Sequence, residues 1–304
     1  MYDLIIVGGG PAGITAGIYV ARKKLKTVLI SKDFVGQLGK AWDVENYPGF
    51  EEISGLDLIQ KFRSHLKKFG IEVKEGEEAK KIKKNGENFD ITTTRNNNYS
   101  AKTVIVASGR NPRPLGVKGE KEFIGKGVSY CVTCDGPLFS GKTVAVIGGG
   151  NAGFETAFEL LQHCPKIYIL EAGDKPKADE VNQEKAEQSG KIEIITSAEI
   201  VEVKGKNLLD SIVYQDKQTQ ELKTLKIEGV FVEIGSLPAT SFVKGLVDFD
   251  EHDQIKIDPK TNETSTPGLF AAGDVTDSKY KQVIVACGEG AKAALSAYEY
   301  LQKN

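Results

Sequence analysis

The chain has 304 residues, room for two domains of ordinary size, and its 40% hydrophobic and 27% charged residues are typical of a soluble globular protein. Forty Lys and Arg against 42 Asp and Glu leave a net charge of −2, which argues against a nucleic-acid binder or a protein held on an anionic membrane by charge. No run approaches the roughly 20 apolar residues that span a bilayer. The sequence opens directly on a strand-like run with no basic segment or cleavage site ahead of it, so a cytoplasmic location is expected.

Residues 4–7 are an apolar run, followed by Gly8-Gly9-Gly10-Pro11-Ala12-Gly13, a helical pattern over 14–24 and a second apolar strand at 27–30. The same design returns at 143–147: an apolar strand, Gly148-Gly149-Gly150-Asn151-Ala152-Gly153, a helix to about residue 162 and a strand at 167–170. One glycine fingerprint alone is a weak signal. Two copies, each between a strand and a helix, point to two dinucleotide-binding units. Gly8 and Gly148 permit the tight turn. Gly10 and Gly150 let the backbone approach a pyrophosphate, and Gly13 and Gly153 let helix and strand pack closely.

Between the copies, 71–83 and 89–94 read as hairpin strands around an Asn85-Gly86 turn. Residues 103–109 read as a buried strand ending at Gly109, and Asn111-Pro112-Arg113-Pro114 as a stiff crossing segment. After the second copy, 192–202, 211–214 and 229–234 read as strands, and Gly235-Ser236-Leu237-Pro238 as a second crossing. A strand over 268–274 ends in Gly273-Asp274, and a helix covers 283–301, with Ala291, Ala294, Leu295, Tyr298 and Leu301 spaced to pack on one face. The expected fold is α/β: two Rossmann-like, three-layer nucleotide-binding domains, one discontinuous (1–113 and 242–304), the other (114–241) inserted into it.

Cys131 and Cys134 form a CxxC in the expected inserted domain. In a cytoplasmic chain such a pair is redox-active or metal-binding rather than structural. A zinc site needs four ligands, and neither Cys164, Cys287 nor the histidines His65, His163 and His252 stand at ligand-like spacing, so no metal is expected. Cys164 and Cys287 read as packing residues. Trp42, the only tryptophan, is read as either an interface or a core residue. A CxxC at a helix start favours a thiolate near neutral pH, and Asp135 follows the second cysteine directly, as an acid–base group or as a cap. The strand after the first fingerprint ends at Ser31, with no acid to grip a nicotinamide nucleotide's ribose. The strand after the second ends at Glu171, whose carboxylate suits ribose hydroxyls and repels a 2′-phosphate, so NADH is favoured over NADPH there.

These motifs, with Gly36-Gln37, 44–49, 131–136, 268–274 and Lys281-Gln282 in that order, resemble the low-molecular-weight thioredoxin reductases over essentially the whole chain. Residues 134–142, Glu171 and 280–295 are similar to the NADH-dependent flavoprotein component of alkyl hydroperoxide reductase, without the N-terminal thioredoxin-like domain of that component. The resemblance implies FAD in the first domain. Gly8, Gly10, Pro11, Ala12 and Gly13 would meet its pyrophosphate, and Gly36, Gln37 and Asn46 would line the flavin. Gly273 and Asp274 would hold the ribityl chain, Lys281 and Gln282 would sit near the ring, and Ser31 and Gly109 would complete the site. The family often has arginine where Lys281 stands. Gly148, Gly150, Asn151, Ala152, Gly153, Glu171 and Gly235 would bind the nicotinamide nucleotide. Electrons would pass from NADH through FAD to the Cys131–Cys134 pair, Cys134 facing the flavin and Cys131 attacking the partner, with Asp135 moving the proton. The partner would be a separate thioredoxin- or glutaredoxin-like protein, one that feeds a peroxiredoxin being an option. A homodimer is expected, and the inserted domain would reorient between the two half-reactions. The competing readings are the same fold fed by NADPH or ferredoxin, a ferredoxin–NAD(P) oxidoreductase, for which the CxxC would be foreign, and a flavin-binding sensor without turnover.

Overall fold

The computed structural model describes residues 1–41 and 44–303; Trp42 lies outside the described residues. The chain divides into two compact units, Met1–Asn111 with Leu237–Asn304, and Pro112–Ser236 inserted between them. The return segment joins the first unit from Leu237, ahead of the 242 expected from sequence. Its local bonds explain this: Ala239 donates its amide to the Gly109 carbonyl and accepts the Ser108 hydroxyl, both within the first unit.

The first unit begins with β1 (Tyr2–Val7), α1 (Pro11–Arg22), β2 (Thr27–Ser31), α2 (Gly55–Lys67) and β3 (Glu72–Glu75), then β4 (Ala79–Asn85), β5 (Asn88–Thr93), β6 (Asn98–Val106) and β7 (Arg110–Pro112). Strands β3, β2, β1 and β6 lie side by side and parallel. The stretch 71–83, read from sequence as one hairpin arm, splits. Gly76 at φ +77° breaks it, so that β3 extends the parallel sheet and only β4 pairs with β5. Alternation along β1 sets the layers, since successive side chains point to opposite faces. Leu4 and Ile6 join the cluster under the helices, and Ile5 and Val7 join the cluster under the β4–β5 hairpin.

The second unit repeats the plan with α3 (Glu120–Phe123), β8 (Val128–Ser129), α4 (Val132–Asp135), β9 (Thr143–Ile147), α5 (Asn151–Leu160), β10 (Lys166–Leu170), α6 (Glu180–Gln188) and β11 (Ile192–Ile195). It continues with β12 (Ala198–Gly205), β13 (Leu209–Asp216), β14 (Leu222–Lys226) and β15 (Gly229–Val232), and β16 (Ser236–Pro238) carries the chain back into the first unit. Its parallel sheet runs β11-β10-β9-β15-β8, and β12-β13-β14 form an antiparallel meander. The stretch 192–202 also divides, at Ser197 with φ +55°. Val144 and Val146 face α5 and α6, while Ala145 and Ile147 face the meander. Phe154 on α5 is fully buried, a side chain whose burial contributes on the order of 2–3 kcal/mol.

The chain closes the first unit with β17 (Leu269–Ala271), parallel to β6, and α7 (Val283–Lys303). The buried face of α7 is Ala286, Cys287, Glu289, Gly290, Ala293, Ala294 and Ala297. The sequence-based face is corrected here: Ala294 is buried, but Leu295 is exposed. The reason is close approach to α1. A Cβ at Gly290 would stand 2.1 Å from the Ala12 carbonyl oxygen, so small residues, not large apolar ones, make the contact. No described helix is long and apolar enough to cross a membrane.

Candidate active site

The two glycine loops obey the same constraints. Gly8 (φ +117°) and Gly148 (φ +119°) turn where a Cβ would meet the carbonyl of Ala107 at 2.1 Å or of Glu233 at 2.2 Å. Gly13 and Gly153 pack at what would be 1.9 Å from the Gly8 and Gly148 carbonyl oxygens. Gly10 and Gly150, the N-caps of α1 and α5, have nothing within 4 Å of that position. Each loop is therefore closed toward its own strand and open beside the helix N-terminus, the geometry of a site for a phosphate group. Pro11 occupies the first turn of α1, where its missing N–H costs nothing.

Several residues singled out in the first unit converge. Asn46 Nδ2 donates to Gln282 Oε1 at 3.3 Å, joining two segments 236 residues apart. Gln37 Nε2 donates to the Arg110 carbonyl at 3.1 Å. Gly36 donates its amide to Asp33 Oδ1 at 3.1 Å. Lys281 is half-buried, not a free surface lysine, and its Nζ donates to the Thr276 carbonyl at 2.6 Å. Burial raises the pKa of Asp274 against the opposing pull of Lys281 and Arg110, and burial lowers that of Lys281. Ser31 is buried beside Gly9, and its hydroxyl donates to the Asp33 carbonyl. Two participants are absent from the sequence-based set: Arg110 and Glu289. Glu289 is 7% exposed within the small-residue face of α7, and its Oε2 accepts the Gly273 amide at 2.7 Å and the Thr276 hydroxyl at 3.2 Å. It thereby fixes the turn that presents Asp274. An acid amid alanines and glycines is the signal that would have marked it.

In the second unit Cys131 and Cys134 are joined as a disulfide, with Cα atoms 5.3 Å apart. Cys131 caps α4, its Sγ accepting the Cys134 amide at 3.2 Å. Asp135 ends α4, and its Oδ2 accepts the Ser129 hydroxyl at 2.6 Å. Among the described residues no hydrogen bond joins the Asp135 carboxylate to either sulfur. Tyr130, next to Cys131, donates to Glu120, which also accepts the amides of Leu115 (2.8 Å) and Gly116 (2.7 Å). Burial and the bond to Glu120 push Tyr130 to about 12. Burial would raise Glu120, but the bonds from Tyr130, Gly116 and Leu115 outweigh it and hold the acid below its ordinary value. Thr133, between the cysteines, donates to Glu159 of α5 at 3.4 Å, and burial raises the pKa of Glu159.

Glu171, at the end of β10, is 8% exposed. Its Oε2 accepts the Gly149 amide and its Oε1 the Gly173 amide, each at 2.7 Å. Asn151 exchanges bonds with Asp179: Nδ2 donates to Oδ2 at 3.0 Å and Oδ1 accepts the Asp179 amide at 2.8 Å. Lys177 and Ala178 donate their amides to the Gly149 carbonyl. The 173–179 loop is thus tied to the second fingerprint. Gly235 turns at φ +93° ahead of β16, with its carbonyl taking the Arg113 amide at 2.9 Å. Cys164 is buried, donates to the Phe139 carbonyl, and is pushed by burial to about 11. Cys287 is buried too, and burial raises its thiol.

Two Rossmann-like units, one inserted in the other, with a disulfide in the inserted unit make up the architecture of the thioredoxin-reductase type. The chain belongs to the pyridine nucleotide-disulphide oxidoreductase family, whose model matches residues 2–290. It is 42% identical over 304 residues to the F component of alkyl hydroperoxide reductase from Pseudomonas aeruginosa, covering 99% of this chain and 58% of that protein. It superposes on thioredoxin reductase of Lactococcus lactis with a TM-score of 0.91 at 36% identity, covering 100% of both chains. With thioredoxin reductase of T. acidophilum the TM-score is 0.89 at 39% identity, covering 98% of both. The chain spans 58% to 60% of the length of the curated relatives it matches first.

Proposed function

We propose that the chain is an FAD-dependent disulfide reductase that draws electrons from NADH and delivers them through Cys131 and Cys134 to a thioredoxin- or glutaredoxin-like protein. The observation that carries this reading is the bonded Cys131–Cys134 pair in the same unit as a glycine loop closed by Glu171. The first unit fits FAD: the open side of Gly10 suits a pyrophosphate, and half-buried Asp274 is positioned for a polyol chain. When bound, that group supplies hydride acceptance from a nicotinamide and two-electron delivery to a disulfide.

The chain's residues divide the remaining work. Gly148, Gly150 and Gly153 shape the nicotinamide-nucleotide loop. Glu171 uses one lone pair of each oxygen on Gly149 and Gly173 and keeps the others for the ribose hydroxyls, where a 2′-phosphate would meet its charge. Cys131, as a thiolate, attacks one sulfur of the partner disulfide, and the partner's other sulfur leaves. Cys134 then attacks Cys131, releasing the reduced partner and closing the Cys131–Cys134 bond. Asp135 serves the proton transfers at Cys134.

The redox pair and the second fingerprint belong to one unit and the first fingerprint to the other. Both must serve the same flavin, so the inserted unit reorients about β7 and β16 between half-reactions.

Turnover tests the reading. The FAD-loaded chain should reduce thioredoxin with NADH, and Cys131→Ser and Cys134→Ser should each abolish thioredoxin reduction while leaving reduction of FAD by NADH intact. Thioredoxin reduction that survives both substitutions would refute it.

A further inference from the structure

Ser129 is the last residue of β8, paired with Phe231 in the parallel sheet, and is 4% exposed. The sheet therefore fixes its backbone, while its side chain faces the redox helix. Its Oγ lies 2.6 Å from Asp135 Oδ2, 3.1 Å from the Cys131 amide nitrogen and 3.2 Å from the Cys131 carbonyl oxygen. A hydroxyl has one hydrogen and two lone pairs. The Cys131 amide can only donate, so it takes a lone pair. The single hydrogen then goes to the nearer and more strongly accepting oxygen, that of Asp135, at the short distance usual for a carboxylate partner. Asp135 Oδ1 has no hydrogen-bond partner among the described residues. One oxygen of the carboxylate is anchored to the sheet and the other is left available.

We propose that Ser129 is a positioning residue for Asp135: it holds the carboxylate by Oδ2 so that Oδ1 is presented for proton exchange at Cys134, and in the same hydroxyl ties that carboxylate to the backbone of Cys131. The inference rests on the reading of Asp135 as the acid–base group. Two electrons from the nicotinamide donor break the S–S bond and leave two thiolates. The Asp135 carboxylate takes up one proton from solvent at Oδ1 and passes it to the Cys134 thiolate, which restores the carboxylate, and Cys131 stays a thiolate for attack on the partner. A serine that only supported the Cys131 backbone would act whether or not Asp135 had a carboxylate.

A double-mutant cycle separates the two cases. The FAD-loaded chain and its Ser129→Ala, Ser129→Thr, Asp135→Asn and Ser129→Ala/Asp135→Asn variants are mixed anaerobically with NADH, and the rate of Cys131–Cys134 reduction is followed by quenching with iodoacetamide and weighing the alkylated peptides. Asp135→Asn should slow disulfide reduction about 100-fold. Ser129→Ala should slow it about tenfold, the order expected for a misaimed group. Ser129→Thr should recover most of that loss, and the double variant should be no slower than Asp135→Asn. A double variant slower than Asp135→Asn by the full Ser129→Ala factor would overturn the proposal, as would Ser129→Ala reacting at the parent rate while Asp135→Asn is slow. Parent-like reduction in Asp135→Asn would instead remove the reading of Asp135 itself. Thermal melts and FAD content report whether Ser129→Ala folds. If it does not, Ser129→Thr decides: folded and more than about tenfold slow despite its hydroxyl, it overturns the proposal.

Discussion

Gly149 donates its amide to Glu171 at 2.7 Å, so the fingerprint loop after β9 and the acid at the end of β10 are one hydrogen-bonded unit. Gly173 binds the other carboxylate oxygen at the same distance. Glu171 thus shapes the loop as well as setting its charge. Hydrogen bonds to a charged partner contribute about 1.5–3 kcal/mol each. Replacing Glu171 with Gln keeps an acceptor and a similar shape but removes the charge. Steady-state kinetics should show kcat/KM for NADH falling about tenfold in Glu171→Gln, with little change for NADPH, so that the preference narrows. An unchanged ratio would remove Glu171 from donor selection.

The two open glycines give a paired test. Gly10 and Gly150 have extended backbones and room for a methyl group, so Gly10→Ala and Gly150→Ala should both fold. The added carbon occupies the space the phosphates need. Gly10→Ala should purify with less FAD, by absorbance, while Gly150→Ala keeps its FAD and shows a raised KM for NADH. Gly13→Ala, with its carbon forced to 1.9 Å from the Gly8 carbonyl oxygen, should fail to give folded protein.

Thiol chemistry should be confined to the CxxC. Burial lifts Cys164 to about 11, which leaves about one molecule in a thousand as thiolate at pH 8, and burial raises Cys287 as well. After reduction under native conditions, brief iodoacetamide treatment at that pH should label Cys131 and Cys134 and leave Cys164 and Cys287 unmodified by peptide mass. Labelling of Cys164 at a comparable rate would contradict its packing under Phe139.

Glu159 predicts a pH signature of stability. Burial raises its folded-state pKa above the unfolded value, with the Thr133 bond opposing more weakly. The fold therefore favours the protonated acid, and stability falls as pH rises from the unfolded value through the folded one. Glu159→Gln preserves an acceptor for Thr133 and removes the ionisation. Its urea midpoint should exceed that of the parent at pH 8, and the gap should shrink as the pH falls from the folded value to the unfolded one. A gap that does not change with pH would mean that Glu159 ionisation is not what costs stability.

Much of this architecture was legible because its signals are local. The glycine spacing after residues 4–7 and 143–147 reports two turns that only glycine can make, and alternating apolar residues mark strands with two buried faces. The redox pair is visible as spacing alone. Other features depend on partners far along the chain. Leu295 looked like a packing residue by period, yet the backbone contact of Gly290 with Ala12 turns the small face of α7 inward. Residues 71–83 looked like one strand, because a positive φ at Gly76 leaves no apolar signature. Ser129 binds Asp135 and the Cys131 amide, and Tyr130 beside Cys131 binds Glu120, through bonds that pattern does not encode. The Asn46–Gln282 bond spans 236 residues and follows only from the fold.

Anaerobic titration of the FAD-loaded chain with NADH and, separately, NADPH tests the central claim most directly, with flavin absorbance and free thiols both counted. The account predicts that NADH bleaches the flavin and yields two new thiols, at Cys131 and Cys134, while NADPH reacts far more slowly. Bleaching by NADPH alone, or flavin reduction by NADH that never opens the Cys131–Cys134 bond, would contradict it.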